Sequence, residues 1–317
     1  MHHRTRSRPF APLPPVYPFH DRRCRERFLQ LVRDYLGRGG RTVIIEAGVA
    51  QVEGDSQLHG LTNLAQTCHQ APPEAWPRIV AEHLAKSDRG RLEATVEGLA
   101  EGGFEQVAAQ LAVRIHPESY LPISRRPHLV HRVDLPGTFS VLVLDIGPSM
   151  LAVPTPIAEL WGVPVGELFD RALANIARAN QGRWSTFALP PSGVCILDAL
   201  DGDHYATSHV LRRDAFLPRT GEHGNLIALP TRGALLSQPL DGPLSLRAIE
   251  ELLMFTTWSF REGPNSITPH LYWRTADGRL SLQQGSSEGG KVRFAPSPEF
   301  VDLMARLQGD RLRPDEP

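Results

Sequence analysis

Apolar residues recur at helical or strand spacing along most of the chain, and the kind of pattern changes once on the way. In the first part, apolar positions within residues 24–35 follow helical spacing behind a capping Asp21, and the segment RTVIIEAGV after them indicates a strand. Further helical segments follow around residues 61–68 and 76–84. This part of the pattern predicts an N-terminal α/β subdomain over residues 20–127.

From residue 128 onward, the pattern repeats a strand pair followed by an amphipathic helix. Each strand pair has one apolar face to bury, and the helix that comes next can cover it. The three repeats are FSVLVLDI with its neighbours and ELFDRALANIARAN; NLIALP, ALLSQPL and a helix at 245–258; and HLYWRT, RLSLQQ and EFVDLMARL. They predict an α+β fold over residues 128–308, with a mixed, mostly antiparallel sheet, helices packed on one face and repeated hairpin-helix units.

The two ends of the chain lack both kinds of periodicity. Residues 1–19 hold five prolines and several arginines and predict a disordered Pro/Arg-rich arm, and residues 309–317 predict a disordered tail. The stretch PFAPLPPVYPF is too rich in proline to form the apolar helix of a signal peptide. No uninterrupted apolar run reaches the roughly 18 residues of a membrane helix. These features predict a cytoplasmic protein with no membrane partner.

The charge distribution gives the molecule no strong attraction to polyanions. Lysine and arginine number 34 against 35 acidic residues, for a net charge of -1. Residues 1–41 are basic, but arginine replaces lysine almost everywhere, since Lys86 and Lys291 are the only lysines. GC-rich coding accounts for this bias without any selection for phosphate contacts. Binding of nucleic acid through the N-terminal arm is therefore a weak hypothesis.

Cysteine and histidine spacing points to no metal site or cofactor. Cys24, Cys68 and Cys195 are odd in number, far apart and without a CxxC pair, which indicates reduced thiols in an intracellular protein. His128 and His131 would lie on opposite faces of a strand, which spoils a shared metal site. No glycine-rich segment has the spacing of a phosphate loop. The sequence predicts neither a metal nor a cofactor.

The densest run of polar side chains is LDALDGDHYATSHVLRRD, at residues 197–214. Its candidate binding residues are Asp201, Asp203, His204, Tyr205 and Ser208. In one interpretation, Asp203 orients His204 as a general base and Ser208 lies one helical turn beyond. In the other, Asp201 and Gly202 form a turn, Asp203 caps a helix over residues 205–213, and the side chains satisfy local backbone groups. The sequence leaves both interpretations open.

One further candidate, Arg232, stands in the segment LPTRGALL. The pattern places it on the turn between two strands, at the rim of the sheet. A guanidinium there is either solvated, as most turn arginines are, or holds an anion. Arg232 is therefore the candidate for recognising a negatively charged ligand.

Three strings, read in order, resemble the YtpQ-like bacterial family of proteins of unknown function: WGVPVGELFDRALANI, LDGDHYATSHVLRRD and LIALPTRGALLS. The residues that carry the resemblance are Trp161, Gly162, Glu167, Leu168, Ala172 and Asn175, then Asp201, Gly202, Ala206 and Ser208, then Pro230 and Arg232. The chain departs from the family pattern at His209, where an arginine is expected. Because the family has no assigned activity, the resemblance implies a fold and a bacterial cytoplasmic origin only.

The sequence favours a non-catalytic binding or adaptor module. No complete catalytic constellation is present, and the exposed edge of a hairpin is a place where a protein partner's strand can add. The alternative is an enzyme acting on a small polar or anionic substrate, with His204 as base, Asp203 as its orienter and Arg232 holding the anion. The two hypotheses differ in whether Asp203, His204, Ser208 and Arg232 converge.

Overall fold

The computed structural model describes most of the chain, and the elements below refer to that part. The described residues are 17–19, 21–46, 48–55, 58–93, 103–120, 123–146, 150–179, 182–201, 203–212, 216–242, 246–289 and 291–310. The α-helices are α1 (Arg22–Leu36), α2 (Thr62–His69), α3 (Trp76–Glu93), α4 (Gly103–Val107), α5 (Thr155–Trp161), α6 (Val165–Ala179), α7 (Leu246–Glu262) and α8 (Pro298–Asp310). Short 3-10 helices span Pro73–Ala75, Ala108–Gln110, Ile123–His128 and Ala206–Leu211. None of these described helices combines the length and the apolar character needed to cross a membrane.

The strands form three sheets, and every pairing between described strands is antiparallel. They are β1 (Val43–Glu46), β2 (Val49–Val52), β3 (Leu58–Gly60), β4 (Leu111–Pro117), β5 (His131–Arg132), β6 (Thr138–Asp145), β7 (Met150–Ala152), β8 (Arg183–Ala188), β9 (Ile196–Asp201), β10 (Asn225–Ala228), β11 (Leu235–Pro239), β12 (Leu271–Arg274), β13 (Leu280–Glu288) and β14 (Lys291–Ala295). The sheet orders are β1-β2-β3, then β4-β6-β5 with β7 also on β6, then β14-β13-β12-β10-β11-β9-β8. The predicted α+β, mostly antiparallel fold is confirmed.

The contacts divide the chain into two compact units, residues 1–80 and 81–317. In the first, α1 buries Phe28, Val32 and Leu36, which recur every four residues along one face. Tyr17 and Phe19 pack their rings against Phe28, with centroids 5.8 and 5.4 Å away. The part of the predicted arm that the structure describes is therefore packed against a helix. Residues 1–16 of that arm, and residues 311–317 of the predicted tail, lie outside the described residues.

The second unit begins earlier than the boundary at 127/128 that the sequence pattern suggested. β4 lies before that boundary and pairs with β6 along its whole length, from Leu111 opposite Leu144 to Pro117 opposite Thr138. A boundary at 127/128 would cut through this four-stranded sheet. β4 belongs to this sheet through its pairing with β6, a long-range contact that the local pattern does not report.

The four-stranded sheet is covered by α6, whose buried residues include Leu168, Phe169, Ala172 and Ile176. The buried Asn175 on the same helix donates from Nδ2 to the carbonyl oxygens of Ala108 and Leu111, each at 2.8 Å. These bonds tie α6 to the start of β4 and hold that strand in place for the site described below.

The seven-stranded sheet separates two apolar layers by the alternation of its side chains. One layer joins Leu226, Leu236 and Leu271 to α7 and α8. The other joins Ile227, Leu235 and Tyr272 to Ile115 of β4 and to the 3-10 helix Ala206–Leu211. This 3-10 helix therefore lies between the two sheets of the second unit.

The hairpin-helix order is observed three times, but not within one sheet. β10 and β11 precede α7, and β12 and β13 precede α8, all on the seven-stranded sheet. The first repeat, with β5, β6 and β7 before α5 and α6, belongs to the four-stranded sheet because β6 pairs with β4, β5 and β7. Helices cover each sheet separately.

Candidate anion-binding site

The segment after β9 forms the turn and 3-10 helix that hold most of the candidate residues. The Asp203 carboxylate accepts a hydrogen bond from the backbone N–H of Tyr205 at 2.7 Å, and its carbonyl accepts one from Ala206 at 3.2 Å. These bonds form a turn ahead of the helix, as the turn interpretation expected, but the predicted cap at Asp203 is wrong. The helix is of 3-10 type, spans Ala206–Leu211 and begins after Tyr205, which makes no side-chain capping bond. The backbone of Asp201 ends β9 opposite Arg183, and its side chain lies outside the described residues.

Asp203 pairs with His209, and not with His204 as the enzyme interpretation required. His209 Nε2 lies 2.8 Å from Asp203 Oδ2, with the His209 side chain 1% exposed. Arg212 Nη1 lies 3.0 Å from His209 Nδ1. Because arginine can only donate, Nδ1 accepts and the ring proton lies on Nε2, facing the carboxylate. His204 is exposed.

This pairing governs the charge of the Asp203 carboxyl. Burial alone would raise its pKa, but the hydrogen bonds from the His209 ring and the Tyr205 backbone outweigh burial and hold the pKa of Asp203 below its usual value. The carboxylate is therefore ionised near neutral pH and accepts one hydrogen bond from a backbone N–H and one from a ring N–H. Its contacts hold the turn in place.

Ser208 and Thr207 connect the 3-10 helix to the neighbouring strands. The buried Ser208 Oγ donates to the carbonyl of Val113 at 2.7 Å, and Thr207 Oγ1 donates to the carbonyl of Arg232 at 3.2 Å. No hydrogen bond among the described residues joins His204 to Ser208 or to Arg232. The contacts bring Ser208 and Tyr205 to β4, and leave His204 at the surface.

Arg232 does not extend from the rim into solvent as a turn arginine would. The backbone N–H of Arg232 donates to Asn265 at 2.9 Å, and its half-buried side chain turns toward β4. Nη2 lies 3.4 Å from His116 Nδ1, while the buried Nε has no hydrogen-bond partner. The sequence pattern placed Arg232 correctly on a turn and missed the direction of its side chain, because that direction depends on a strand 116 residues away.

Arg114, on β4, is the second arginine of the site. Strand alternation puts it on the same face as His116, and its guanidinium carbon lies 5.9 Å from the ring centre of Tyr205. Its Nε is also buried and without a hydrogen-bond partner. Among the described residues, neither Arg114 nor Arg232 forms an ion pair.

Arg114 is close enough to Arg232 to perturb its charge. Burial, with the positive charge of Arg114, lowers the pKa of Arg232 to about 10. Burial also lowers the pKa of Arg114, against the opposing influence of Tyr205, Tyr120 and Asp145. Both guanidinium groups remain charged at neutral pH, so the site holds two largely desolvated positive charges that both act on His116.

Aromatic side chains surround the arginine pair. His116 packs against Tyr120, with ring centroids 4.0 Å apart, and against Phe139, at 5.7 Å, and these two rings also contact one another at 6.4 Å. Burial and the charges of Arg232 and Arg114 hold the pKa of His116 well below 6.5, so the ring is neutral. Tyr120 is 40% exposed and is the part of this group that meets solvent.

Asp145 supplies a negative charge near the pair through Tyr205. The Tyr205 hydroxyl donates to Asp145 Oδ2 at 2.6 Å, and burial followed by this hydrogen bond raises the pKa of Tyr205. Tyr205 therefore stays a neutral phenol. Of the carboxylates near Tyr205, Asp203 is already paired with His209, and Asp145 is hydrogen-bonded to the Tyr205 hydroxyl rather than to either arginine.

Arg114, His116, Tyr120 and Asp145 were not among the residues that the sequence indicated. The available signal was the pair of polar residues at alternate positions in the apolar strand LAVRIHP. Arg114 and His116 would lie on one face of a strand whose other face is apolar. Two polar residues in that position suggest a polar site.

The described residues offer no group of three His, Cys, Asp or Glu side chains suited to a metal ion. The cysteines are free, and burial raises the pKa of Cys68 and Cys195 to about 12, which leaves both as unreactive thiols. Two surface clefts, of about 370 and 350 Å³, are lined by residues other than Arg114 and Arg232.

No family model, no curated protein and no solved structure matches the chain. The resemblance to the YtpQ-like family stays a prediction. The site must be interpreted from its own chemistry.

Proposed function

We propose that this chain is a non-catalytic, cytoplasmic binding module for a small anion, and that Arg114 and Arg232 hold a single phosphate or carboxylate group. The proposal rests on one observation: the charged side chains of Arg114 and Arg232 both act on His116, and each has a buried Nε with no hydrogen-bond partner among the described residues. Buried charges in proteins are ordinarily paired. An anion between the two side chains would supply the missing partner.

The chemistry of arginine favours this class of ligand. The planar guanidinium presents parallel N–H donors that match two oxygens of a carboxylate or phosphate. Each hydrogen bond to a charged group contributes about 1.5–3 kcal/mol. The anion would also replace the repulsion between Arg114 and Arg232 by two attractions, which a neutral ligand could not do.

The same geometry gives less support to the enzyme hypothesis. His204, its proposed base, is exposed, and Asp203 is engaged by His209 and the Tyr205 backbone. Ser208 is bonded to a backbone carbonyl. Binding without catalysis needs none of these groups, so it is the function that the arrangement supports best.

Anion binding predicts a selective thermal stabilisation. At a phosphate or acetate concentration one hundred times the dissociation constant, the free energy of unfolding should rise by about 2.7 kcal/mol and the melting temperature by about 5–10 °C. The Arg232→Gln and Arg114→Gln variants should each bind at least about tenfold more weakly, because a charge-assisted hydrogen bond is lost. Calorimetric titration and thermal denaturation with phosphate, acetate and succinate, at constant ionic strength, measure this.

Arg293→Gln is the matched control, since Arg293 is an exposed arginine on β14, away from the site. It should bind like the unmodified chain. In buffer without phosphate or carboxylate, Arg232→Gln should retain its stability, because the change removes one of two like charges. Equal melting temperatures of the unmodified chain in phosphate and in chloride would overturn the proposal.

A further inference from the structure

Strand β8, at one edge of the seven-stranded sheet, is exposed to solvent along most of its length. It is the last strand of the seven-stranded sheet and, among the strands that the structure describes, pairs with β9 alone. Five of its six residues are exposed, so neither face of the strand is well covered by the rest of the chain. An uncovered edge of this kind is a template for another strand.

The opposite edge of the same sheet is protected. β14 exposes Lys291 and Arg293 at alternate positions and turns Val292 and Phe294 inward. Charged side chains on an edge strand discourage pairing with another chain. β8 has a charge only at its first residue, Arg183, and its remaining sequence WSTFA is uncharged. β8 is therefore better suited than β14 to pair with a strand of another chain.

An exposed apolar surface adjoins β8, and we call it the edge patch. Phe187 of β8 contacts Phe255 of α7, with ring centroids 6.5 Å apart, and Phe255 contacts Trp258 at 6.0 Å. Trp258 is 61% exposed and Phe187 37%. The edge patch consists of Phe187 on β8 and Met254, Phe255 and Trp258 on α7.

The size of the edge patch suits a protein interface. From the exposed fractions of its residues, it presents roughly 300 Å² of apolar surface, the size of the largest patch on a typical monomer, which is often functional. A standard interface buries about 800 Å² on each partner, a little over half of it apolar. The edge patch therefore covers roughly two thirds of the apolar area of such an interface, and the exposed side chains of β8 add to it.

The hydrogen-bonding pattern shows which backbone groups of β8 face outward. The Leu189 N–H donates to the carbonyl of Cys195, so the ladder to β9 uses the odd-numbered residues. The backbone groups of Trp184, Thr186 and Ala188 therefore point away from β9. These are three evenly spaced residues with Thr186 at their centre, which is the arrangement that a two-fold axis can repeat.

We propose that β8 pairs antiparallel with β8 of a second copy of this chain, joining two seven-stranded sheets across a two-fold axis at Thr186. In this register Thr186 faces Thr186 of the second copy, and Trp184 faces Ala188. All three outward residues then form ladder hydrogen bonds, and opposed threonines are a favourable cross-strand pair. The axis is normal to the sheet and leaves both α7 helices on the same face, so the two edge patches meet.

The oligomeric state tests this directly. The full chain should sediment at twice its mass of 35.1 kDa at micromolar concentration. Phe187→Lys/Trp258→Lys, which places charges in the edge patch, should sediment as a monomer. Val301→Lys should remain a dimer, because Val301 is an equally exposed apolar residue on α8 outside the patch. A monomeric full chain, or a dimer that persists in the double variant, would overturn the proposal.

Cross-linking gives a second measurement that does not depend on how the double variant folds. Opposed residues at the two-fold axis lie about 5.5 Å apart between Cα atoms, within the range of a disulfide. Under mild oxidation, Thr186→Cys should yield a covalent dimer, whereas Val301→Cys should give only the background from half-exposed Cys24. If both variants cross-link to the same extent, β8 is not at the axis.

Discussion

At the scale of single residues, His116 shows how the site controls protonation. The ring is buried, contacts Arg232 and stacks against Tyr120 and Phe139. Burial and the charges of Arg232 and Arg114 place its pKa well below 6.5 in the folded state. In the unfolded chain, by contrast, the ring takes up a proton at its ordinary pKa near 6.5.

This difference predicts a loss of stability in acid. Above pH 6.5 the ring is neutral in both states and has no effect, whereas below pH 6.5 only the unfolded state gains a proton. The free energy of unfolding should then fall by up to about 1.4 kcal/mol per pH unit. His116→Gln should show a shallower fall between pH 6.5 and 5, measured by urea denaturation. Curves that run parallel for the two proteins would contradict the prediction.

The sequence carried the residues of the site but not their association. Arg232 was identified on its turn, whereas its neighbours on β4 stand in a segment that looks like any buried strand. The contact between Arg232 and His116 spans 116 residues of chain. Strand periodicity gives the direction of a side chain relative to its own sheet, but it gives no information on which turn will face it.

At the scale of elements, the 3-10 helix Ala206–Leu211 explains why the sequence interpretation chose the wrong histidine. Adjacency suggested His204 as the partner of Asp203. In the structure the short helix, with three residues per turn, brings His209 back over Asp203, while His204 is left exposed. Ser208 and Thr207 then fasten the helix to Val113 and Arg232. The side-chain hydrogen bonds of Ser208 and Thr207 therefore hold the 3-10 helix in position and do not form a catalytic arrangement.

We therefore expect opposite outcomes at the two histidines. His209→Ala removes the buried partner of Asp203 and leaves its carboxylate without that hydrogen bond, which should cost about 2–4 kcal/mol of unfolding free energy. His204→Ala changes an exposed side chain and should stay within about 0.5 kcal/mol. Chemical denaturation of both variants measures the difference. A larger loss at His204 would contradict the pairing described here.

At the scale of the whole molecule, the hairpins and helices after residue 128 could be predicted because each one obeys a local periodicity. Their distribution between two sheets could not. β6 joins β4, which precedes it by more than twenty residues, and β11 pairs with β9 as well as with its hairpin partner β10. Which strands pair depends on which apolar faces come together in the folded chain. No single segment of the sequence contains that information.

The core of the four-stranded sheet should respond strongly to truncation. Leu142 is fully buried in β6, in the apolar cluster that includes Phe169 of α6. Leu142→Ala should lower the free energy of unfolding by about 2–5 kcal/mol, because it leaves a cavity that the sheet cannot close. Leu160→Ala, at an exposed position on α5, provides the control and should change little. Similar losses for the two variants would contradict the assigned core.

Gly285, on β13, lies against the buried side chain of Leu253 on α7. A Cβ atom at residue 285 would stand too close to the Leu253 methyl groups, so a larger residue there would force that side chain to move. Leu253 is next to Met254 of the edge patch, on the turn of α7 that precedes Trp258. The missing Cβ atom at residue 285 thus leaves room for the side chain that anchors this part of α7, and a substitution within the sheet could be felt at the outward-facing surface of the helix.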